Sequence, residues 1–88
     1  MTHADSLPSQ ALIKAAMLEI LKESQDGLHI KDIEIAVAKR LSLTKSQMEL
    51  MHKGKRTMLG YKLAWARTAS KKEGLIESPR SSVWKQVN

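Results

Sequence analysis

Residues 57–87 read TMLGYKLAWARTASKKEGLIESPRSSVWKQV, a stretch in which a helical pattern passes directly into a strand pattern. Up to Glu73 the apolar residues recur at the three- and four-residue spacing of an amphipathic helix, and Gly74 is a residue type that commonly ends helices. Two β-prone runs follow, separated by the turn-forming sequence Pro79-Arg80-Ser81-Ser82. We therefore predict a long helix over residues 57–73 and a C-terminal β-hairpin with these four residues in its turn.

Toward the N-terminus, the chain predicts a first helix and a short extended segment. Apolar residues from Leu12 to Leu21 keep a helical period after Pro8, a residue type that is tolerated in the first turn of a helix. Asp26-Gly27 ends this helical pattern. The apolar run Leu28-His29-Ile30 then predicts a small strand or an extended entry into the next helix.

Two more helices are predicted between this run and the long helix. Apolar residues at helical spacing predict the first of them over about residues 31–41. Thr44 followed by Gln47 is a capping-box pattern, which predicts a short helix with Met48 and Met51 directed inward. A helix, a short turn and a second helix in this order have the spacing of a helix-turn-helix.

The order of these elements predicts the fold class. Three or four helices followed by a hairpin give a mainly α domain with a small C-terminal β-hairpin, which is the order of a winged helix, a helix-turn-helix plus a wing. A chain of 88 residues fits one small domain. We expect residues 1–6 to form a flexible N-terminus and residues 7–88 to form that single domain.

Length and composition argue against catalysis. Most enzyme folds need roughly 150 residues or more to enclose a substrate pocket. The chain has no Cys, and His3, His29 and His52 are far apart in sequence without an accompanying cluster of carboxylates. The sequence therefore predicts no enzyme activity, no metal, no cofactor and no small-molecule substrate. It also has no long apolar run and no secretory signal, so we expect no membrane contact and a cytoplasmic location, at the nucleoid when bound to DNA.

The net charge of +6 is segregated along the chain. Residues 1–44 carry five Lys/Arg and six Asp/Glu, whereas residues 45–88 carry ten Lys/Arg and three Asp/Glu. A requirement for solubility alone would not separate the charges in this way, although it remains the simpler alternative. The asymmetry is typical of a near-neutral scaffold that carries a basic surface for a polyanion.

The long helix has two faces when its residues are placed at intervals of about 100°. Side chains predicted to pack on the earlier helices are Met58, Leu59, Leu63, Trp65, Ala66 and Ala69. On the other face, the small residues Gly60 and Ala64 would let the backbone approach a DNA groove, with hydrogen-bond donors beside them. An ordinary solvated helix face is the alternative. Trp65 and Trp84 are predicted to be core residues, with base stacking as the less favoured role.

A basic loop precedes this helix and strengthens the DNA interpretation. Cations at a helix N-terminus repel the positive end of the helix dipole unless an anion is bound there. Arg80 adds a cation at the predicted tip of the hairpin. The predicted nucleic-acid-binding residues are Lys45, Lys53, Lys55, Arg56, Thr57, Tyr61, Arg67, Thr68, Lys71, Arg80 and Ser81.

Several motifs in a fixed order carry a resemblance to a known family, and they span roughly residues 9–88. They are Ile33-Glu34-Ile35-Ala36-Val37-Ala38, Leu41-Ser42-Leu43-Thr44, Gly54-Lys55-Arg56, Trp65-Ala66-Arg67-Thr68, Lys71-Lys72-Glu73-Gly74-Leu75-Ile76, Pro79-Arg80 and Val83-Trp84. Together they resemble the N-terminal winged-helix domain of Mrr-type restriction endonucleases, without the nuclease domain. The resemblance implies a bacterial or phage DNA-binding domain related to restriction, which in that family precedes a nuclease directed at foreign methylated DNA.

The resemblance points to Lys55, Arg56, Arg67 and Arg80 as DNA-contacting residues, and the chain also departs from the family. Ala69-Ser70 stand where the family usually has an aromatic residue and Leu, and Glu73 stands where it has a small apolar residue. Ser81-Ser82 replace a pair that tends to be Arg-Gly. These departures predict a weaker core contact or different helix packing, and a turn without its usual glycine.

Two functions therefore remain open at this point. The first is binding of double-stranded DNA, with helix 57–73 in the major groove and wing 78–83 on the backbone. The alternative is a protein–protein interaction or dimerisation module that does not bind nucleic acid. Its partner would be a second copy of the chain or a separate effector protein.

Overall fold

The computed structural model of this protein describes residues 7–50 and 56–87. Its elements are α1 (Gln10–Lys22), β1 (Leu28–His29), α2 (Ile30–Arg40), α3 (Lys45–Glu49), α4 (Met58–Lys72), β2 (Ile76–Arg80) and β3 (Val83–Gln86). Residues 1–6, Met51, Lys53 and Lys55 lie outside the described residues, so what the sequence predicts for them stays a prediction.

The secondary structure and the sheet confirm the predicted fold class. β2 and β3 form an antiparallel hairpin, and β1 pairs antiparallel with β3, so the strand order is β1-β3-β2. Leu28 lies opposite Trp84, and His29 lies opposite Val83. The domain is mainly helical with a small C-terminal hairpin, and α1, α2 and α4 with this sheet have the arrangement of a winged helix.

One apolar core joins the three long helices to the sheet. Its side chains come from the predicted stripes of α1, α2 and α4, and Ile76 of β2 joins the same cluster from the sheet. Burying a large aliphatic side chain stabilises the fold by about 1.5–3 kcal/mol, so these helices depend on one another for stability. The side chains with 0 or 1% exposure include Ile13, Met17, Leu21, Ile33, Val37, Leu59 and Leu63.

Local hydrogen bonds define the helix ends. Ser9 caps α1 by accepting from the amide of Leu12, and His29 Nδ1 accepts from the amide of Lys31 at the start of α2. The predicted capping box of Thr44 and Gln47 is present at α3. α4 ends in a Schellman motif, in which Leu75 N–H donates to the Ser70 carbonyl and Gly74 adopts a φ of 77°.

The short helix α3 differs from the expectation in one respect. It has no buried residue, and Met48 is 37% exposed, so the prediction that Met48 points inward is wrong. The physical reason is length, because a helix of five residues in the connection presents little surface to the core. α4, the long helix that follows, packs against both α1 and α2.

The buried face of α4 also differs in part from the expectation. Leu59, Leu63 and Ala66 are buried as predicted, but Trp65 is 56% exposed and is not a core residue. Ser70 is buried instead of Trp65, because it continues the helical spacing of Leu59, Leu63 and Ala66 along the side of α4 that faces the core. Trp84 behaves as predicted and packs against the core from β3.

The hairpin is tighter than the sequence predicts. Pro79 and Arg80 belong to β2, and only Ser81 and Ser82 connect the two strands. The pairing is irregular between Glu77 and Arg80, and β2 is an edge strand, which is where a proline without an N–H donor can be accommodated. The wing therefore presents Arg80 from the end of a strand.

Ser70 generates the first testable prediction. Its Oγ is buried and has no hydrogen-bond partner within the described residues, an arrangement that costs about 1–3 kcal/mol. We expect Ser70→Ala to raise the free energy of unfolding by about 1 kcal/mol, which corresponds to a Tm higher by about 4–8 °C in a domain of this size. Thermal unfolding followed by circular dichroism measures the change.

Ser9→Ala is the control with the opposite sign, because it removes the cap of α1 and should cost about 1 kcal/mol. A Ser70→Ala variant that is less stable than the wild type would contradict the interpretation.

The turn residue Ser82 generates a second prediction. Its φ is 64°, in the left-handed region where a side chain costs about 1–2 kcal/mol, and its carbonyl accepts from the amide of Ile30 at the start of α2. We expect Ser82→Gly to stabilise the domain by about 0.5–1 kcal/mol after the higher backbone entropy of glycine is included. Urea unfolding measures the change in stability, and Ser81→Gly is the control because Ser81 does not have a positive φ. Equal effects of the two substitutions would show that the positive φ of Ser82 does not destabilise the domain.

Candidate nucleic-acid interface

A cleft opens between the start of α2 and the part of α4 that runs from its N-terminus to Arg67. Its volume is about 520 Å³. The side chains and backbone that line it are Ile30, Lys31, Glu34, Arg56, Thr57, Gly60 and Arg67. Three of these residues are cations and one is a carboxylate, so the cleft carries excess positive charge. Three of the predicted site residues, Arg56, Thr57 and Arg67, are brought together here.

Thr57 connects the two walls of the cleft. Its Oγ1 accepts from the amide of Gly60 at 3.0 Å and thereby caps α4. The same hydroxyl donates to Glu34 Oε2 of α2 at 3.0 Å. The Thr57 hydroxyl, which the sequence predicts to contact DNA, therefore donates within the protein instead. Its two hydrogen bonds position the α4 N-terminus relative to α2.

Gly60 keeps the floor of the cleft open. A Cβ at this position would lie 3.0 Å from Thr57 Oγ1 and 3.5 Å from Glu34 Oε1. Glycine inside a helix costs about 1 kcal/mol relative to alanine. The distance to Glu34 of α2 is an ordinary van der Waals contact, so glycine at this position is explained by the close capping hydroxyl of Thr57.

Arg67 lines one side of the cleft and is half-buried. Burial lowers the pKa of its guanidinium, and the charge of Arg56 lowers it further, while Glu34 acts in the opposite direction. Arg67 forms no ion pair or hydrogen bond with any side chain or carbonyl in residues 7–50 and 56–87. A half-buried cation with unused donors favours the binding of an anion.

The outward face of α4 carries an aromatic pair next to the cleft. The rings of Tyr61 and Trp65 lie edge to face, with centroids 6.4 Å apart and planes at 82°. With Arg56, Ala64 and Thr68 they line a shallow groove of about 320 Å³. Arg56 lines both the groove and the cleft, so Tyr61 and Thr68 lie on the surface adjoining the cleft. The edge-to-face contact holds Trp65 in an exposed position.

The other predicted site residues that the structure describes, Lys45, Lys71, Arg80 and Ser81, do not line the cleft. Lys71 Nζ is 6.0 Å from the ring centroid of Trp84, which places this cation over the sheet. Arg80 and Ser81 are exposed at the end of the hairpin. Lys45 is at the start of α3 and lines neither the cleft nor the groove. These residues extend a basic surface around the cleft but are not gathered in it.

The charged and aromatic residues of this surface include three that were not among the predicted site residues. Lys31 and Glu34 of α2 line the cleft, and Trp65 of α4 lines the groove. The sequence places Lys31 and Glu34 three positions apart on the solvent side of α2, which puts both on one face. Only the packing of α2 against α4 shows that this face meets the N-terminal half of the long helix.

Comparison with known proteins identifies the class to which this helical domain belongs. The family model of the Mrr N-terminal domain matches residues 11–85. The chain therefore belongs to the Mrr N-terminal domain family, which confirms the resemblance carried by its motifs. It has no significant match among the curated proteins or among the solved structures.

The described part of the chain contains neither a metal-binding cluster nor a membrane-spanning helix. Among the described residues, no group of three or more His, Asp or Glu is arranged to hold a metal ion. Over the same residues, no helix has the length and the apolar character that crossing a membrane requires.

The double role of Thr57 generates a third prediction. Thr57→Ala removes both the cap of α4 and the hydrogen bond to Glu34, so we expect the free energy of unfolding to fall by about 1–2 kcal/mol. Thr57→Ser keeps the hydroxyl and should retain most of the stability. Urea unfolding of the two variants measures the difference, and equal stabilities would show that the hydroxyl does not hold α4 to α2.

Proposed function

We propose that this domain binds double-stranded DNA, with α4 in the major groove and the wing on the backbone. The main support is the gathering of Arg56 and Arg67 with Lys31 in one cleft, against the single carboxylate of Glu34. The ion pairs among the described residues join Lys14 to Glu73, and Arg40 to Glu19 and Glu23. The cations around α4 and the wing take part in none of them, so they are available for phosphates.

The shape of α4 supports the same proposal. A single helix fits the major groove, which is about 12 Å wide. Ala64, at the centre of the outward face, lets the helix approach the groove floor. Tyr61 beside it carries a hydroxyl group of the kind that contacts phosphates and base edges. The Thr68 hydroxyl donates to the Ala64 carbonyl at 3.0 Å and keeps lone pairs that can accept from the amino groups of base edges. Arg80 and Ser81 then lie where a wing contacts the backbone next to the groove.

In this proposal the domain contributes binding and carries out no bond-breaking chemistry. The family to which the chain belongs is named for the N-terminal domain of Mrr. We assign the domain the recognition of DNA in the cytoplasm, where it would be associated with the nucleoid when bound.

A specific surface supports a second candidate function, contact with another protein or with a second copy of the chain. Ile35 is 60% exposed and lines a groove between α2 and α3 together with Met48, Lys31 and Glu34. Large apolar side chains on a surface are typical of protein interfaces. Charge, by contrast, is concentrated at α4 and the wing, which is why DNA is the leading candidate.

The fourth prediction concerns the salt dependence of DNA binding. Fluorescence anisotropy of a labelled duplex should show affinity that falls about a hundredfold between about 50 and 200 mM salt if four phosphates are contacted. Arg80→Glu and Arg56→Glu should each weaken binding by about tenfold or more. Lys22→Glu is the matched control, because it makes the same charge change at the exposed end of α1 and should have a small effect.

Two outcomes contradict the DNA proposal. One is the absence of duplex binding at low salt, and the other is an equal loss of affinity in the Lys22→Glu control, which would indicate a response to net charge alone. Size-exclusion chromatography of Ile35→Glu tests the second function, since a self-associating domain should become monomeric in this variant.

A further inference from the structure

The cleft between α2 and α4 contains more positive charge than the protein itself balances. Lys31, Arg56 and Arg67 line it against the single carboxylate of Glu34. Glu34 Oε2 is already the acceptor for Thr57, and none of the three cations is within ion-pair distance of Glu34. The ion pairs among the described residues hold Lys14 and Arg40 and none of these three cations.

The positions of Arg67 and Lys31 suit one shared ligand. They come from different helices, α4 and α2, and line the same open space. Arg67 is half-buried, so its side chain loses less freedom on binding than a fully exposed arginine would. A guanidinium and an ammonium that line the same cleft are a combination that binds oxyanions, and the fork of the arginine matches two phosphate oxygens.

We propose that this cleft binds one phosphate of the DNA backbone, which is held between Arg67 of α4 and Lys31 of α2, with Arg56 at its rim. The inference rests on the proposed function and adds to it a residue on α2 and a defined contact point. A phosphodiester carries one negative charge, which would compensate part of the excess positive charge of the cleft. The hydrogen bond between Glu34 and Thr57 would stay in place. The phosphate would thereby join α2 and α4 through one contact.

Glu34 lowers the affinity of this site. Its carboxylate repels an incoming phosphate, but its hydrogen bond to Thr57 positions the α4 N-terminus. Glu34→Gln removes the negative charge and retains an oxygen that can accept from Thr57. This variant should therefore bind phosphate and duplex DNA more tightly than the wild type, an effect opposite in sign to that of replacing the cations.

The first experiment uses inorganic phosphate as the probe and needs no DNA. Thermal unfolding is measured in phosphate and in chloride at equal ionic strength. At a phosphate concentration equal to the Kd, the wild-type Tm should rise by about 2–3 °C. Arg67→Gln and Lys31→Gln should lose most of the rise, Glu34→Gln should increase it, and Lys39→Gln, a lysine further along α2 outside the cleft, should retain it.

The second experiment uses duplex DNA and the slope of log affinity against log salt. Replacing a residue that contacts one phosphate should reduce the slope by about 1 and weaken binding equally for unrelated duplex sequences. Because Arg67 and Lys31 share the phosphate, the double variant should lose less affinity than the two single variants predict together. Lys39→Gln should leave the slope unchanged. Lys31 is exposed, so Lys31→Gln tests the site even if Arg67→Gln fails to fold.

The outcomes separate this inference from the proposed function. If the duplex binds with a salt slope that Arg67→Gln and Lys31→Gln do not change, the phosphate site is wrong while DNA binding stands. If no duplex binds, the proposed function fails, and with it the assignment of the phosphate to DNA. A Tm rise that is equal in all variants, Lys39→Gln included, shows general salt stabilisation and overturns the site.

Discussion

The burial of one arc of α4 against α1 and α2 is the constraint on which the rest of this structure depends. Leu59, Leu63, Ala66 and Ser70 form the arc and enclose the same core as Ile13 and Ile33. Once this arc is buried, the side chains on the opposite side of α4 are exposed as a group. The rotation of the helix about its axis therefore determines both the stability of the domain and the surface it presents.

Short-range polar contacts then set how α4 meets α2. The cap formed by Thr57 and its hydrogen bond to Glu34 bring the N-terminal turns of α4 beside α2, and Gly60 leaves room for the capping hydroxyl. The consequence is a cleft with cations on both walls. Outside this cleft, Arg40 is bound to the carboxylates of α1, whereas Lys31, Arg56 and Arg67 in the cleft have no ion pair among the described residues.

Much of the fold could be predicted because it depends on local chemistry. Hydrophobic period, capping residues and Gly74 placed α2 and α4 within one residue of their observed ends, and the β-prone runs placed the hairpin. The first helix was predicted to end at Asp26-Gly27, whereas α1 ends at Lys22. The predictions for Met48 and Trp65 were wrong because an apolar residue type does not specify burial when it lies outside the packed arc. The hairpin turn was placed too early because edge strands accommodate proline, as Pro79 shows.

The sequence by itself determined the class of the domain, its family and the half of the chain that carries the charge, since pattern, motif order and composition are all local or additive properties. Only the tertiary structure decided which charges meet. Lys31 and Arg67 are 36 positions apart, and their approach across one cleft follows from the packing of α2 against α4. Helical periodicity places each residue on a face of its own helix. Which two faces oppose each other depends on shape complementarity in the core, a property of the whole chain.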